Sequence, residues 1–147
     1  MARAVCFWGW KHPVNVLAII RLADGLGFDE VFIAGDKKIN LEDYKKAASD
    51  FGSSKTRIVI GSKVAILPDI IQYDIVLVEL SLVSIPIYDY KWPPNPCIVI
   101  GHERWGVNWE SFNQRGDSIC IPMEGVVKWL NVATAAAIAM YDYVSKL

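Results

Sequence analysis

Two polar residues stand six apart in a mostly apolar stretch, Asn15 and Arg21 in Asn15 to Gly27 (NVLAIIRLADGLG), and they open the search for chemistry. Val16, Leu17, Ile19, Ile20, Leu22, Ala23 and Leu26 surround them almost all round a helix, which is therefore expected to be largely buried. A buried guanidinium needs a partner, because an unpaired charge in a low-dielectric site is costly. Asp24, one turn on, is the local candidate. On the same local reading Asn15 is the helix N-cap and Gly27 its stop.

Two further polar turns follow apolar runs. Gly101, His102, Glu103 and Gly106 come after Cys97–Ile100, and Ile121, Pro122, Met123 and Gly125 close the run from Ser118. Ligands of parallel sheets bind outside the carboxyl ends of strands, and glycine there lets a ligand approach the backbone closely. Glu103 reads either as a solvated loop acid or as the partner of Arg21, and Asn131 as a cap or first-turn residue of the last helix. Trp129 can be core, a cover on a cofactor pocket, or a platform for a base, with packing the expected role. Trp8, Trp10, Trp105 and Trp109 are placed in loops, able to stack on nucleobases or to pack at an interface. No metal site is expected, since His12 and His102 lack ligand spacing with acids or cysteines. Gly25-Leu-Gly27 ends a helix instead of following a strand, so it is no dinucleotide fingerprint.

The elements that must position these residues are legible as an alternation. Runs at Ala4–Phe7, Val31–Ile33, Arg57–Ile60, Ile75–Val78, Cys97–Ile100 and Ser118–Ile121 are continuously apolar, as strands covered on both faces are. Helices are expected at Asn15–Leu26, about Leu41–Phe51 and Trp129–Lys146. The pattern is that of an α/β domain, a mostly parallel sheet with helices on both faces. Trp92–Pro96 (WPPNP) is a stiff connector into the following strand.

With 147 residues and 53% hydrophobic content, one folded domain over 1–147 is expected. The longest charge-poor stretch, Ile75–Tyr88, holds Glu79 and Pro86 and is too short to span a bilayer. Cys6, Cys97 and Cys120 lie apart in apolar runs and read as buried thiols of a reducing compartment, which suggests a cytoplasmic protein. A formal net charge of −1 argues mildly against a nucleic-acid partner. Charge can nevertheless be uneven, and Lys37, Lys38, Lys45, Lys46, Lys55, Arg57 and Lys63 concentrate in one part of the chain.

Taken together the three segments resemble the three motifs of the SpoU-like (TrmH-type) ribose 2′-O-methyltransferases of the SPOUT superfamily. Asn15 and Arg21 have the spacing of the first motif, and Gly101, Glu103 and Gly106 fit the second. Ile121, Pro122, Met123, Gly125, Leu130, Asn131 and Val132 fit the third, where Trp129 and Ala133 stand in place of two serines. The resemblance implies a SPOUT fold with a C-terminal trefoil knot and no appended RNA-binding domain. It also implies S-adenosylmethionine as methyl donor, with S-adenosylhomocysteine as product, and a structured RNA substrate, tRNA or rRNA. The cofactor would lie against Glu79, Leu80, Ser81, Gly101, His102, Glu103, Gly106, Ile121, Pro122, Met123, Trp129 and Leu130, mainly on their backbone groups. Arg21, Glu103, Asn131 and Asn15 would form the catalytic set, Arg21 meeting the RNA and Glu103 orienting it. A homodimer is implied as well, burying parts of the first and last helices, the first apolar and the last with small residues Ala133–Ala139 suited to close packing. The lost serines motivate an alternative, a SPOUT-fold RNA-binding or cofactor-sensing protein without catalysis. An unrelated flavodoxin-like domain is the third reading.

Overall fold

Each apolar run noted above forms a strand in the computed structural model, which describes residues 2–42, 45, 55–79, 81–107, 109–112 and 115–147, the Trp109 side chain apart. The strands are β1 (Ala4–Trp8), β2 (Glu30–Ala34), β3 (Arg57–Gly61), β4 (Asp74–Val78), a two-residue β5 (Ile85–Pro86), β6 (Pro96–Gly101) and β7 (Asp117–Cys120). They pair in parallel in the order β3-β2-β1-β6-β4-β7-β5. In β1 and β6 every residue is buried, which is why both read as unbroken apolar runs.

Successive side chains of a strand point to opposite faces, so the sheet carries two cores. On one face Val5, Phe7, Ile33, Val76, Ile98 and Ile100 meet α1 (Pro13–Leu26) and α3 (Val132–Ser145) through Ile19, Ile20, Ala136, Ala139 and Met140. On the other Ala4, Cys6, Phe32, Leu77, Cys97 and Val99 meet α2 (Lys63–Ile70) through Ile66 and Ile70. Helices on both faces of a parallel sheet are thus what the alternation implied. The chain from Trp92 does run as a connector, entering β6 at Pro96, the first residue of the strand, where no ladder donor is lost.

Three expectations need correction. No helix was expected at α2, which holds Pro68 in its interior and so lacks one backbone donor there. Ser62 caps its start, the hydroxyl accepting from Ala65 N–H at 3.2 Å. α1 is not buried all round: Asn15, Val16, Ile19, Ile20 and Ala23 face the core, while Val14 and Arg21 are exposed. Trp8 belongs to β1 and it and Trp10 are core residues, 6% and 5% exposed, not loop aromatics. The helix expected over Leu41–Phe51 lies largely outside the described residues. No helix among the described residues is long and apolar enough to cross a membrane.

Candidate active site

The carboxyl ends of β4, β6 and β7 open into a cleft of about 320 Å³. β6 leaves the sheet at Gly101 and turns back within five residues, His102 and Gly106 exchanging both backbone hydrogen bonds (3.2 and 2.9 Å). That turn explains both glycines. A Cβ on Gly101 would collide with the Gly106 backbone, and one on Gly106, whose φ is +68°, would lie 2.7 Å from Glu79 Oε2. Beside the expected room for a ligand at the backbone, the glycines have a second reason: they let the turn close on itself and on Glu79 at the end of β4. Glu79 fastens the arrangement, its Oε2 accepting from Val107 N–H at 3.0 Å and its own N–H donating to Ile119 O at 3.0 Å.

The floor of the cleft is Val78, Ile100, Gly101, Cys120 and Ile121, and its walls are the turn 102–106 and the segment 121–130. Of the residues assigned to a cofactor from the sequence, Glu79, Gly101, His102, Glu103, Gly106, Ile121, Met123, Trp129 and Leu130 line it. Pro122 and Ser81 do not line it; Ser81 is turned toward Ser84, with the two hydroxyls 2.9 Å apart. Leu80 lies outside the described residues. Trp129, expected as packing, is 79% exposed and lines the cleft, as does Trp105 at 73%. Arg104, Cys120, Lys128 and Ala135 also line the cleft and were missed. Ala135 was signalled only by helix periodicity, three to four residues beyond the cap.

One polar residue from each of the three motifs, Asn15, Glu103 and Asn131, comes to lie beside this cleft, whereas Arg21, on the exposed side of α1, is not among the residues that line it. α1 begins at His12, not at the expected N-cap Asn15; Pro13 supplies the first helical residue, and Asn15 sits in the first turn, buried, with its side chain turned inward. Its Nδ2 donates to Glu103 Oε1 at 3.1 Å, and its Oδ1 accepts from Asn131 Nδ2 at 3.1 Å. Asn131 in turn caps α3, its Oδ1 accepting from the N–H groups of Ala133 (2.9 Å) and Thr134 (3.2 Å). A chain Glu103–Asn15–Asn131 thereby links β6, α1 and α3.

Glu103 also accepts from Lys11 N–H at 2.6 Å and His12 N–H at 3.4 Å, so it is not a solvated loop acid. Burial by itself would raise its pKa; the hydrogen bonds from Asn15, from its own amide and from His12 and Lys11 outweigh burial and hold the carboxyl below the usual range. The bonds given to Glu103 thus run to the loop that starts α1, the helix that carries Arg21 on its exposed side.

A parallel α/β sheet with a ligand-sized cleft at its strand exits, and three polar side chains from distant segments joined beside it, is the arrangement at which proteins of the α/β class bind small molecules. The family within that class is given by comparison: residues 2–141 match the model of the SpoU rRNA Methylase family, and the chain belongs to that family. It is 31% identical over 140 residues to the tRNA (guanosine(18)-2'-O)-methyltransferase of Escherichia coli (strain K12), covering 94% of this chain and 61% of the relative. The chain thus spans about three fifths of the length of that curated relative. A putative RNA methyltransferase of the TrmH family from Porphyromonas gingivalis superposes with a TM-score of 0.80 at 23% identity, over 99% of this chain and 60% of the other. The SpoU methyltransferase AviRb from Streptomyces viridochromogenes in complex with AdoMet gives 0.74 at 24%, over 99% and 57%.

Proposed function

We propose that the chain transfers a methyl group from S-adenosylmethionine to a ribose 2′-hydroxyl of structured RNA. The observation that carries this is the Glu103–Asn15–Asn131 chain, which joins one polar residue from each of the three motifs at the edge of the cleft. Family membership and the tRNA-modifying name of the E. coli relative support RNA, and tRNA in particular, as substrate.

The cleft suits the cofactor. Its volume of about 320 Å³ is at the lower end of the range of small-molecule sites, and it combines apolar Ile100, Ile121 and Leu130 with backbone groups at the ends of β6 and β7. Those groups would hold the nucleoside, while Glu103 and Lys128 supply charge at the walls. When bound, S-adenosylmethionine supplies a methyl group on a sulfonium, a strong electrophile. The protein's part is to align the acceptor oxygen, and alignment can account for much of the acceleration. Arg21 anchors phosphate and stabilises the developing alkoxide. Glu103, kept ionised and engaged by Lys11 N–H, His12 N–H and Asn15 Nδ2, is a positioning residue: it fixes the start of α1 and so the direction from which Arg21 approaches. Asn131 ties that same helix to the end of the cofactor loop.

Three features of the whole belong to the proposal. The C-terminal segment is threaded as a knot, a reading supported by the insertion of β7 between β4 and β5, both of which precede it in the chain. The protein works as a homodimer. Ala136 and Ala139, first assigned to that interface, are buried within the chain, so the outward stripe of α3, with Ile138 and Tyr141 exposed, is the better surface. A cytoplasmic location is supported by three free cysteines, two of them buried.

The test is transfer of labelled methyl from S-adenosylmethionine to unmodified tRNA transcripts, followed by mapping of the product. Label at a ribose 2′-oxygen is expected. Saturable S-adenosylhomocysteine binding without transfer to tRNA or rRNA would favour the non-catalytic reading prompted by Trp129 and Ala133.

A further inference from the structure

The order β3-β2-β1-β6 sets four strand exits side by side along the carboxyl edge, next to the cleft. Neighbouring strands lie about 4.8 Å apart, so this row is roughly 15 Å long. Each exit carries a cation: Lys63 after β3, Lys37 and Lys38 after β2, Lys11 after β1 and Arg104 after β6, all exposed. Three of them are held over indoles. Lys63 Nζ lies 5.5 Å from the Trp8 ring, Lys37 Nζ 5.7 Å from Trp10, and the Arg104 guanidinium 4.8 Å from Trp105. Lys37 Nζ also donates to Lys11 O at 3.5 Å, and a Cβ built on Gly9 would lie 3.6 Å from Lys63 Nζ and 3.5 Å from His102 Cβ. The lysines of β2 and β3 are thus gathered onto the turn after β1. Among carboxylates at these exits, Glu103 is already engaged by three donors, leaving Asp36 beside Lys37.

The opposite edge mixes both signs: Asp29, Glu30, Asp74 and Asp117 lie at the amino ends of β2, β4 and β7 together with Arg3, Lys55, Arg57 and Arg115, and Arg57 is held by Glu30 at 2.8 Å. A net charge of −1 therefore does not describe the surface that the cleft opens on.

We propose that the row Lys63–Lys37–Lys11–Arg104 is a phosphodiester track that leads an RNA strand into the cleft, with Trp8 and Trp10 as positioning residues that fix the lysine heads. This rests on the proposed RNA substrate. A stacked strand carries one phosphate per about 3.4 Å of axis, so a row of roughly 15 Å can take about four. Buried indoles that cannot stack on bases acquire a use: each restricts a flexible ammonium that otherwise loses rotamer entropy on binding.

The experiment measures binding of a labelled, unmodified tRNA transcript against salt concentration for the whole chain and for Lys37→Gln, Lys63→Gln and their double variant. Lys55→Gln, at the opposite edge, is the control. S-adenosylhomocysteine affinity is measured in parallel. Each track substitution is expected to weaken RNA binding about 5- to 10-fold at 0.1 M salt and to lower the salt slope by about 0.7–0.9, with near-additive effects in the double variant. Lys55→Gln and the cofactor-product affinity should not change. Trp10→Leu should lose RNA affinity that Trp10→Phe keeps, both still binding S-adenosylhomocysteine. Track variants that bind RNA with unchanged slope, while the unsubstituted chain binds tRNA, would overturn the track alone. An unsubstituted chain that binds S-adenosylhomocysteine but neither tRNA nor rRNA would overturn it together with the RNA reading.

Discussion

Asn15 shows how far a single residue can be read from spacing. Six residues before Arg21 it is equally a cap or an active-site group, and the sequence has no means to say which, because the deciding partners lie 88 and 116 positions away. In the fold it is a buried amide whose two ends are both used. Asn15→Ala should therefore cost about 1–3 kcal/mol, the penalty for stranding partners in a part-buried site, and lower methyl transfer as well; thermal unfolding checks the first. Arg21 offers the contrast. Its position on the exposed side of α1 predicts that Arg21→Ala leaves stability within about 1 kcal/mol and S-adenosylhomocysteine affinity near that of the unsubstituted chain, while transfer to RNA falls by at least tenfold. Unfolding in place of a catalytic defect would make Arg21 a structural residue. Glu103 carries a signature in pH. Its folded-state pKa is depressed, so its contribution to stability is full above the ordinary carboxylate value near 4.5 and is lost as pH falls through the lower folded value. Urea midpoints from pH 7 downward should fall less steeply for Glu103→Gln than for the unsubstituted chain.

At the scale of elements, strands were legible and helix faces were not. Runs such as Cys97–Ile100 are apolar because both faces of β6 are covered, and that burial is written in every residue. α1 has nearly the same composition, yet Val14 and Arg21 face outward, since composition reports how apolar a helix is and not where its neighbours end. The turn 101–106 was legible as a turn but its reason was not: Gly101 is required by the backbone of Gly106, a contact that only folding creates. Gly101→Ala should accordingly destabilise the fold by about 1–3 kcal/mol and abolish S-adenosylhomocysteine binding, as overpacking of backbone on backbone does. Gly125→Ala, with nothing within 4 Å of its added methyl, should do neither. Calorimetry on both variants distinguishes a turn that shapes the cleft from one that merely borders it.

For the whole molecule, the sheet order gathers at one edge what the sequence scatters over 117 residues, from Asn15 to Asn131. Asn15, Glu103 and Asn131 meet there, and so do the cations that a net charge of −1 conceals. The outward stripe of α3 carries Ile138 and Tyr141, and sedimentation at micromolar concentration is expected to give twice the 16.5 kDa chain mass. Tyr141→Glu should shift that value toward the monomer; an unshifted dimer would place the interface elsewhere. The central claim, methyl transfer to an RNA ribose, is tested most directly by mass-spectrometric mapping of ribose methylation in RNA from cells with and without this protein. Loss of a 2′-O-methyl group at a defined nucleotide, restored by the unsubstituted chain and not by Arg21→Ala, is the predicted result. Identical methylation in both RNA pools, from cells in which the protein is made and binds S-adenosylmethionine, would contradict it.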